Sequence, residues 1–241
     1  MANLIRSSKS GSDWTTNELI AYNITVTTWS PQQFHWYPKP SLVGLDPTLI
    51  DSAVDAENVP DHTFRYLTHL DLATNTGQKS LIADFFRETL RLLGYEERGL
   101  VLSTRYTISM TICGDNRRTA QTDVCLLDRQ SMILLVLKEG DSTQPEPQVI
   151  AGAIAAYQHN NEKRQTRGLA ALDAMTIPCI TMVGTRPIFY VVPVTQALSV
   201  AVVTGQYPKY PTEVLKCVTF LGHNRRSSEG METSEYRRLA F

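Results

Sequence analysis

The sequence predicts an α+β fold with helices flanking a mixed sheet, and three observations carry that expectation. Residues 119–141, TAQTDVCLLDRQSMILLVLKEGD, hold six consecutive apolar residues, Met132 to Leu137, between a turn at Asp128 to Ser131 and the charged pair Lys138 and Glu139. So short an apolar run, bounded by turn chemistry and charge, reads as a central strand buried on both faces. Residues 78–93, QKSLIADFFRETLRLL, set Leu81, Ile82, Phe85, Thr89, Leu92 and Leu93 on one helical stripe, and Gly94 supplies the stop. Residues 148–161, QVIAGAIAAYQHNN, mix Val149, Ile150 and Tyr157 with small residues that let a helix approach a sheet closely. The resulting order of helix, three strands, helix, strand is an α+β arrangement.

Composition sets the outer bounds. A chain of 241 residues, 42% apolar and 20% charged, is ordinary for a globular protein, and a net charge of -1 argues against an overall nucleic-acid footprint. Cys113, Cys125, Cys179 and Cys217 are widely spaced with no CxxC pairing, which reads as buried free thiols and an intracellular setting, cytoplasmic or nuclear. The N-terminus lacks a signal-like apolar core and no run approaches the ~18 apolar residues of a membrane span, so no membrane partner is expected.

In chain order, the Ser-rich segment to about Ser12 reads as a loose tail. Residues 19–29, LIAYNITVTTW, are β-branched and aromatic and read as a strand. Pro31 to Pro60, with five prolines and the cluster Phe34, Trp36 and Tyr37, reads as an irregular arm pinned by aromatics. Residues 61–74 place Phe64, Leu67 and Leu70 at helical spacing; His62 and His69 on that helix have no partners that complete a metal set. Residues 100–112, 119–128 and 131–138 read as a β-meander, joined by GDNRR and DRQS. A helix from Glu146 to Asn161 follows, then a basic loop with Lys163, Arg164 and Arg167. Residues 177–194 read as a hairpin turning at Gly184 to Pro187, Thr195 to Thr204 as a last helix, and the chain beyond Gly205 as polar and broken. The expected domains are residues 1–60 as tail, strand and arm, 61–205 as core, and 206–241 as extension.

Two acids stand out. Glu88 lies on the margin of its helix's apolar stripe, and Asp123 shares a strand face with Cys125 and Leu127 by the period of two. A buried Asp123 needs a partner, because an isolated buried carboxylate is expensive.

The order of elements, with Glu88 on the first helix, Asp123 on the second strand and a charged tip on the third, resembles the restriction-endonuclease-like PD-(D/E)XK nuclease superfamily. GDNRRTAQTDVCLLD, PEPQVIAGAIAAYQHNN and IPCITMVGTRPIFY resemble more closely a group of mushroom-forming-fungus proteins thought to carry this fold, over about Phe34 to Met231. The resemblance implies a PD-(D/E)XK-like core, αβββαβ, with a central mixed sheet flanked by helices and an irregular N-terminal arm. It also implies Glu88 and Asp123 as ligands of Mg²⁺ or Mn²⁺, with an acid-x-Lys pair at the tip of the third strand. In this chain those two positions are Lys138 and Gly140. A lysine in place of a metal ligand adds roughly a few kcal/mol of repulsion toward a dication and removes a ligand.

Two functional readings follow. In one, a divergent metal-dependent phosphodiesterase uses Glu88, Asp123 and Lys138, with Gln148, Glu139, Arg117, Lys163 and Arg164 binding DNA or RNA. In the other, which the lost acid favours, the fold serves as a binding module or holds a small molecule, and Lys138 pairs with Glu88 or Asp123. No GxSxG, P-loop, HExxH or GxGxxG signal points elsewhere.

Overall fold

A computed structural model of the protein describes residues 6–34, 46–75, 78–96, 99–139, 145–219 and 230–240, with the side chains of Lys79 and Glu139 excepted. Trp36, Tyr37 and Gly140, singled out in the sequence, lie outside the described residues, as do His35 and the run His223 to Arg226.

The elements are α1 (Thr16–Ala21), β1 (Ile24–Trp29), α2 (Thr48–Asp51), α3 (Asp61–Asn75), α4 (Lys79–Leu92), β2 (Leu100–Ile112), β3 (Asp115–Asp128), β4 (Ile133–Glu139), α5 (Pro145–Thr166), β5 (Ala174–Val183), β6 (Arg186–Thr195), α6 (Gln196–Thr204), β7 (Thr212–Val218) and α7 (Ser234–Ala240). The strands form one mixed seven-stranded sheet in the order β1-β7-β6-β5-β4-β3-β2. Strands β2 to β4 are the expected antiparallel meander, and β4 and β5 run parallel through the α5 crossover. The fold is therefore α+β with helices on both faces of the sheet.

The apolar run of β4 is buried on both faces as expected. Ile133 and Val136 join the core under α5, whereas Leu135 and Leu137 join Phe85, Phe86 and Leu90 of α4 and Leu67 and Leu70 of α3 on the opposite face. On α3 the expected stripe is rotated: Tyr66 is buried and Phe64 is 48% exposed.

The β2–β3 hairpin is longer than expected, because residues 115–118 extend β3 instead of forming a connection. It is also bent. Leu102, Val124 and Leu126 face α4, but Ile108, Met110, Ile112 and Ala120 pack on the α5 side. Arg105, at φ 52°, sits where the alternation breaks; a left-handed non-glycine residue inside a strand marks such a kink. The bent hairpin then covers α5 from outside, which explains why every residue from Val149 to Ala156 is buried. Gly152 permits the approach on the sheet side, since a Cβ there would lie 3.0 Å from Val136 Cγ1.

Helix α5 continues to Thr166, past Asn160 and Asn161, where the sequence reading ends it. These side chains instead clamp backbone. Asn160 accepts from the Ile133 N–H (2.7 Å) and donates to the Ile133 carbonyl (2.8 Å); Asn161 does the same with Leu172, and Gln158 with Thr111. Three amides on one helix thereby fix β4, the approach to β5, and the folded-over hairpin.

Three further expectations are corrected. Residues 19–21, read as the start of a strand, instead end α1, which Thr15 and Glu18 open with a capping box. The segment to Ser12 is not loose where described: Gly11 packs against Ala120 and Ala151, and Trp14 is 1% exposed and stacked on Tyr22. The chain beyond Gly205 is not wholly broken, for β7 inserts between β1 and β6, and α7 is bound through Arg237, whose buried guanidinium donates to the carbonyls of Ile50, Ser52 and Met231.

Candidate functional site

Strands β3 and β4 part at Asp123. Their ladder ends with Val124 opposite Leu137, and one step further sets Asp123 across from Lys138. On its other side Arg105 lies opposite Asp123, between the pairs Thr104–Val124 and Tyr106–Thr122. Leu137 and its neighbours lose a β3 partner where the strands diverge. Thr122 compensates, with its hydroxyl 2.6 Å from both the Leu137 and Val124 carbonyls. The side chain thus fills the crotch of the fork and satisfies backbone that the ladder leaves open.

Lys138 continues pairing with β5, opposite Thr181, and shares the α5 face with Val136. Its Nζ lies 3.4 Å from Asp123 Oδ2, with the two side chains 18% and 23% exposed. Both groups are thus removed from most of the solvent and meet a partner of opposite charge.

The polar positions continue across the same face. Thr181 Oγ1 is 3.4 Å from Tyr190 Oη, Tyr190 pairs in register with Lys216 of β7, and Lys216 Nζ lies over the Tyr190 ring at 5.8 Å. Lys216 in turn binds Glu146 in the first turn of α5 at 2.7 Å. Burial pushes the Tyr190 phenol well above its ordinary range, so it acts as a neutral hydrogen-bonding group. The sequence reading missed Lys216, Glu146, Thr181 and Tyr190. The alternation in TEVLKCV would have marked β7 as a strand and placed Lys216 on one face with Val214.

Glu88 belongs elsewhere. It is 4% exposed on α4, in the helix layer on the opposite face of the sheet. Arg91 donates to it from Nε (3.0 Å) and Nη2 (2.6 Å), and Arg65 of α3 stands 3.2 Å away. Burial alone would raise its pKa, but the Arg91 hydrogen bonds and the Arg91 and Arg65 charges outweigh that and hold the carboxyl below its usual range. The two acids expected to share a metal therefore point into different layers: Glu88 holds two guanidiniums, and Asp123 holds an ammonium.

The remaining expected residues are dispersed. Gln148 donates to the Ser12 carbonyl at 2.9 Å, near the N-terminus of α5. Lys163 and Arg164 lie near the far end of the same helix, roughly 22 Å from Gln148 at 1.5 Å per residue, and Arg164 binds the Ala170 carbonyl. Arg117 is at the hairpin tip, paired with Asp115. The backbone of Glu139 follows Lys138 in β4.

These residues do not fit a resident divalent cation. Lys138 places a positive charge against Asp123, Glu88 is engaged on the other face, and among the described residues no group of three His, Cys, Asp or Glu side chains comes together. What the fork holds is the Lys138 ammonium against the Asp123 carboxylate, 3.4 Å apart. No described helix is long and apolar enough to cross a membrane. Comparison with protein-family models and with curated proteins finds no match for the chain.

Proposed function

We propose that the protein has a PD-(D/E)XK-like core whose fork no longer supports nuclease chemistry, and that it works as a binding or assembly module. The single observation that carries this reading is the Lys138–Asp123 ion pair, 3.4 Å long, at the strand tip. It occupies the place where the resemblance puts an acid and a metal. The order α4, β2 to β4, α5, β5, with a parallel β4–β5 crossover, supports the PD-(D/E)XK-like assignment. Among the described residues all four cysteines are free thiols, which supports an intracellular setting. A ligand of the fork would be an anion, such as a small carboxylate or phosphate, that competes with Asp123 for Lys138.

A cleavage screen tests the proposal. The full chain is incubated with single- and double-stranded DNA and RNA in Mg²⁺ and in Mn²⁺, beside Asp123→Ala. No Asp123-dependent cleavage is the expected result. Cleavage that Asp123→Ala abolishes would instead assign a divergent metal-dependent phosphodiesterase.

A further inference from the structure

The sheet ends in β2 on one side and β1 on the other, and the two edges differ. Strand β2 is guarded. Arg105 kinks it at φ 52° and sets a charge there, and Gln158 takes the Thr111 N–H (2.9 Å) and carbonyl (3.1 Å). Just past Ile112, the Cys113 and Gly114 N–H groups bond to the Val202 and Val203 carbonyls of α6. Kinks, charges and covering groups of this kind keep an edge from pairing with another chain.

Strand β1, ITVTTW, has none of these. It holds no charge and no proline, and its register with β7 runs unbroken from Ile24–Thr212 to Trp29–Cys217. The Thr212 N–H donates to the Asn23 carbonyl at 2.9 Å. By the period of two, the backbone groups of Asn23, Thr25 and Thr27 therefore face β7, and those of Ile24, Val26 and Thr28 face outward. These three N–H groups and three carbonyls meet no partner among the described residues. The row is bounded at both ends: Asn23 turns the chain at φ 53°, and Gln33 Oε1 takes the next outward N–H, that of Ser30, at 3.0 Å.

We propose that β1 pairs with β1 of a second copy of this chain, antiparallel about a two-fold axis through Val26, so that two sheets join into one. The edge is complementary to itself. Its alternating donors and acceptors meet the same set reversed, Val26 against Val26 and Ile24 against Thr28, for about six hydrogen bonds. On the other sheet face Thr25 comes opposite Thr27 of the partner subunit, a favourable cross-strand pair. No like charges meet, since β1 carries none. Glu213, beside Thr25 in the register, accepts from Thr27 at 2.7 Å, and its two copies would stand three strand spacings or more apart, roughly 14 Å. With β2 guarded, β1 has no other edge of this chain to pair with, so the assembly closes as a dimer. A six-residue strand buries less than the ~1,200 Å² of a stable interface, so the dimer is weak, dissociating in the micromolar range. The proposal rests on β1 alone, and its failure would leave the reading of the fork untouched.

Sedimentation velocity of the full chain from about 5 to 500 μM tests it, with hydrogen exchange on the same samples. A monomer–dimer equilibrium is expected, in which the Ile24, Val26 and Thr28 amides gain protection as the dimer fills. Thr28→Pro removes an outward N–H that β7 does not use, a place where an edge strand tolerates proline. It should raise the dissociation constant about tenfold, while Thr28→Val leaves it unchanged. Thr25→Lys sets two ammonium groups on diagonal positions about 7–8 Å apart across the axis and should weaken the dimer roughly threefold, a loss that shrinks with added salt. Thr107→Lys on β2 should change nothing. Each variant is first shown to keep the wild-type circular dichroism spectrum, and if Thr28→Pro does not, Thr25→Lys decides. A chain monomeric at every concentration, a dimer indifferent to the β1 substitutions, or growth into larger assemblies overturns the proposal.

Discussion

Replacing Glu88 by Gln separates the two roles assigned to this acid. The carboxylate is 4% exposed and takes two hydrogen bonds from Arg91, with Arg65 at 3.2 Å. Hydrogen bonds to charged groups contribute about 1.5–3 kcal/mol each, but Arg91 and Arg65 are 40% and 58% exposed, so solvent screening reduces the sum. A loss of about 1–2 kcal/mol is expected, which in a chain of this size lowers Tm by about 2–8 °C. The pH dependence has a definite sign. The folded pKa of Glu88 lies below its unfolded value, so its contribution is fully present above the unfolded pKa, about 4.3, and is lost as pH falls through the folded value. Urea unfolding at neutral pH and again at about pH 3 should show the gap between wild type and Glu88→Gln closing in acid. If Glu88 were one of several acids gathered for a cation, removing its charge would relieve repulsion in the metal-free protein. A Gln variant more stable than wild type at neutral pH would therefore refute the two-arginine account.

Other substitutions probe the frame around the fork. Asn160→Ala leaves the buried N–H and carbonyl of Ile133 without their shared partner and should cost about 2–5 kcal/mol in urea unfolding; Asn161→Ala, on the half-buried Leu172, should cost less, and the reverse order would contradict the clamp. Gly230→Ala puts a Cβ 2.6 Å from the Thr185 carbonyl carbon and 2.7 Å from the Arg186 nitrogen, backbone that cannot yield. It should cost about 1–3 kcal/mol and speed proteolysis within residues 230–240; unchanged proteolysis would count against the docking of α7. Burial pushes the Cys125 thiol up to about 12 and raises Cys179 and Cys217 as well, so a thiol reagent should label Cys113 alone in the native protein. Fast labelling of a second cysteine would show that the sheet core opens.

Much of the frame is readable in the chain because burial leaves a simple mark. The run Met132 to Leu137 has no polar position because helices cover both faces of β4, and the small residues of α5 record its contact with Val136. Asp123 and Lys138 are legible as partners because a strand tip and its neighbour place them opposite each other. Glu88 is not, since its helical position shows only that it borders the buried face, and its partner Arg65 comes from another helix. The bend at Arg105 is hidden for a related reason: the apolar residues keep the same parity from Leu102 to Ile112 while the face they pack against changes. Asn160 and Asn161 mislead because asparagine commonly ends helices, whereas here the amides are consumed by backbone across the core.

The most direct test of the central claim is a Mn²⁺ titration of the full chain at neutral pH, followed by the electron paramagnetic resonance signal of the free ion, with Asp123→Asn alongside. With Lys138 against Asp123 and Glu88 in the other layer, wild type and Asp123→Asn should leave the free Mn²⁺ signal equally unchanged up to about 1 mM. Uptake of one equivalent by the wild type, lost in Asp123→Asn, would contradict the account.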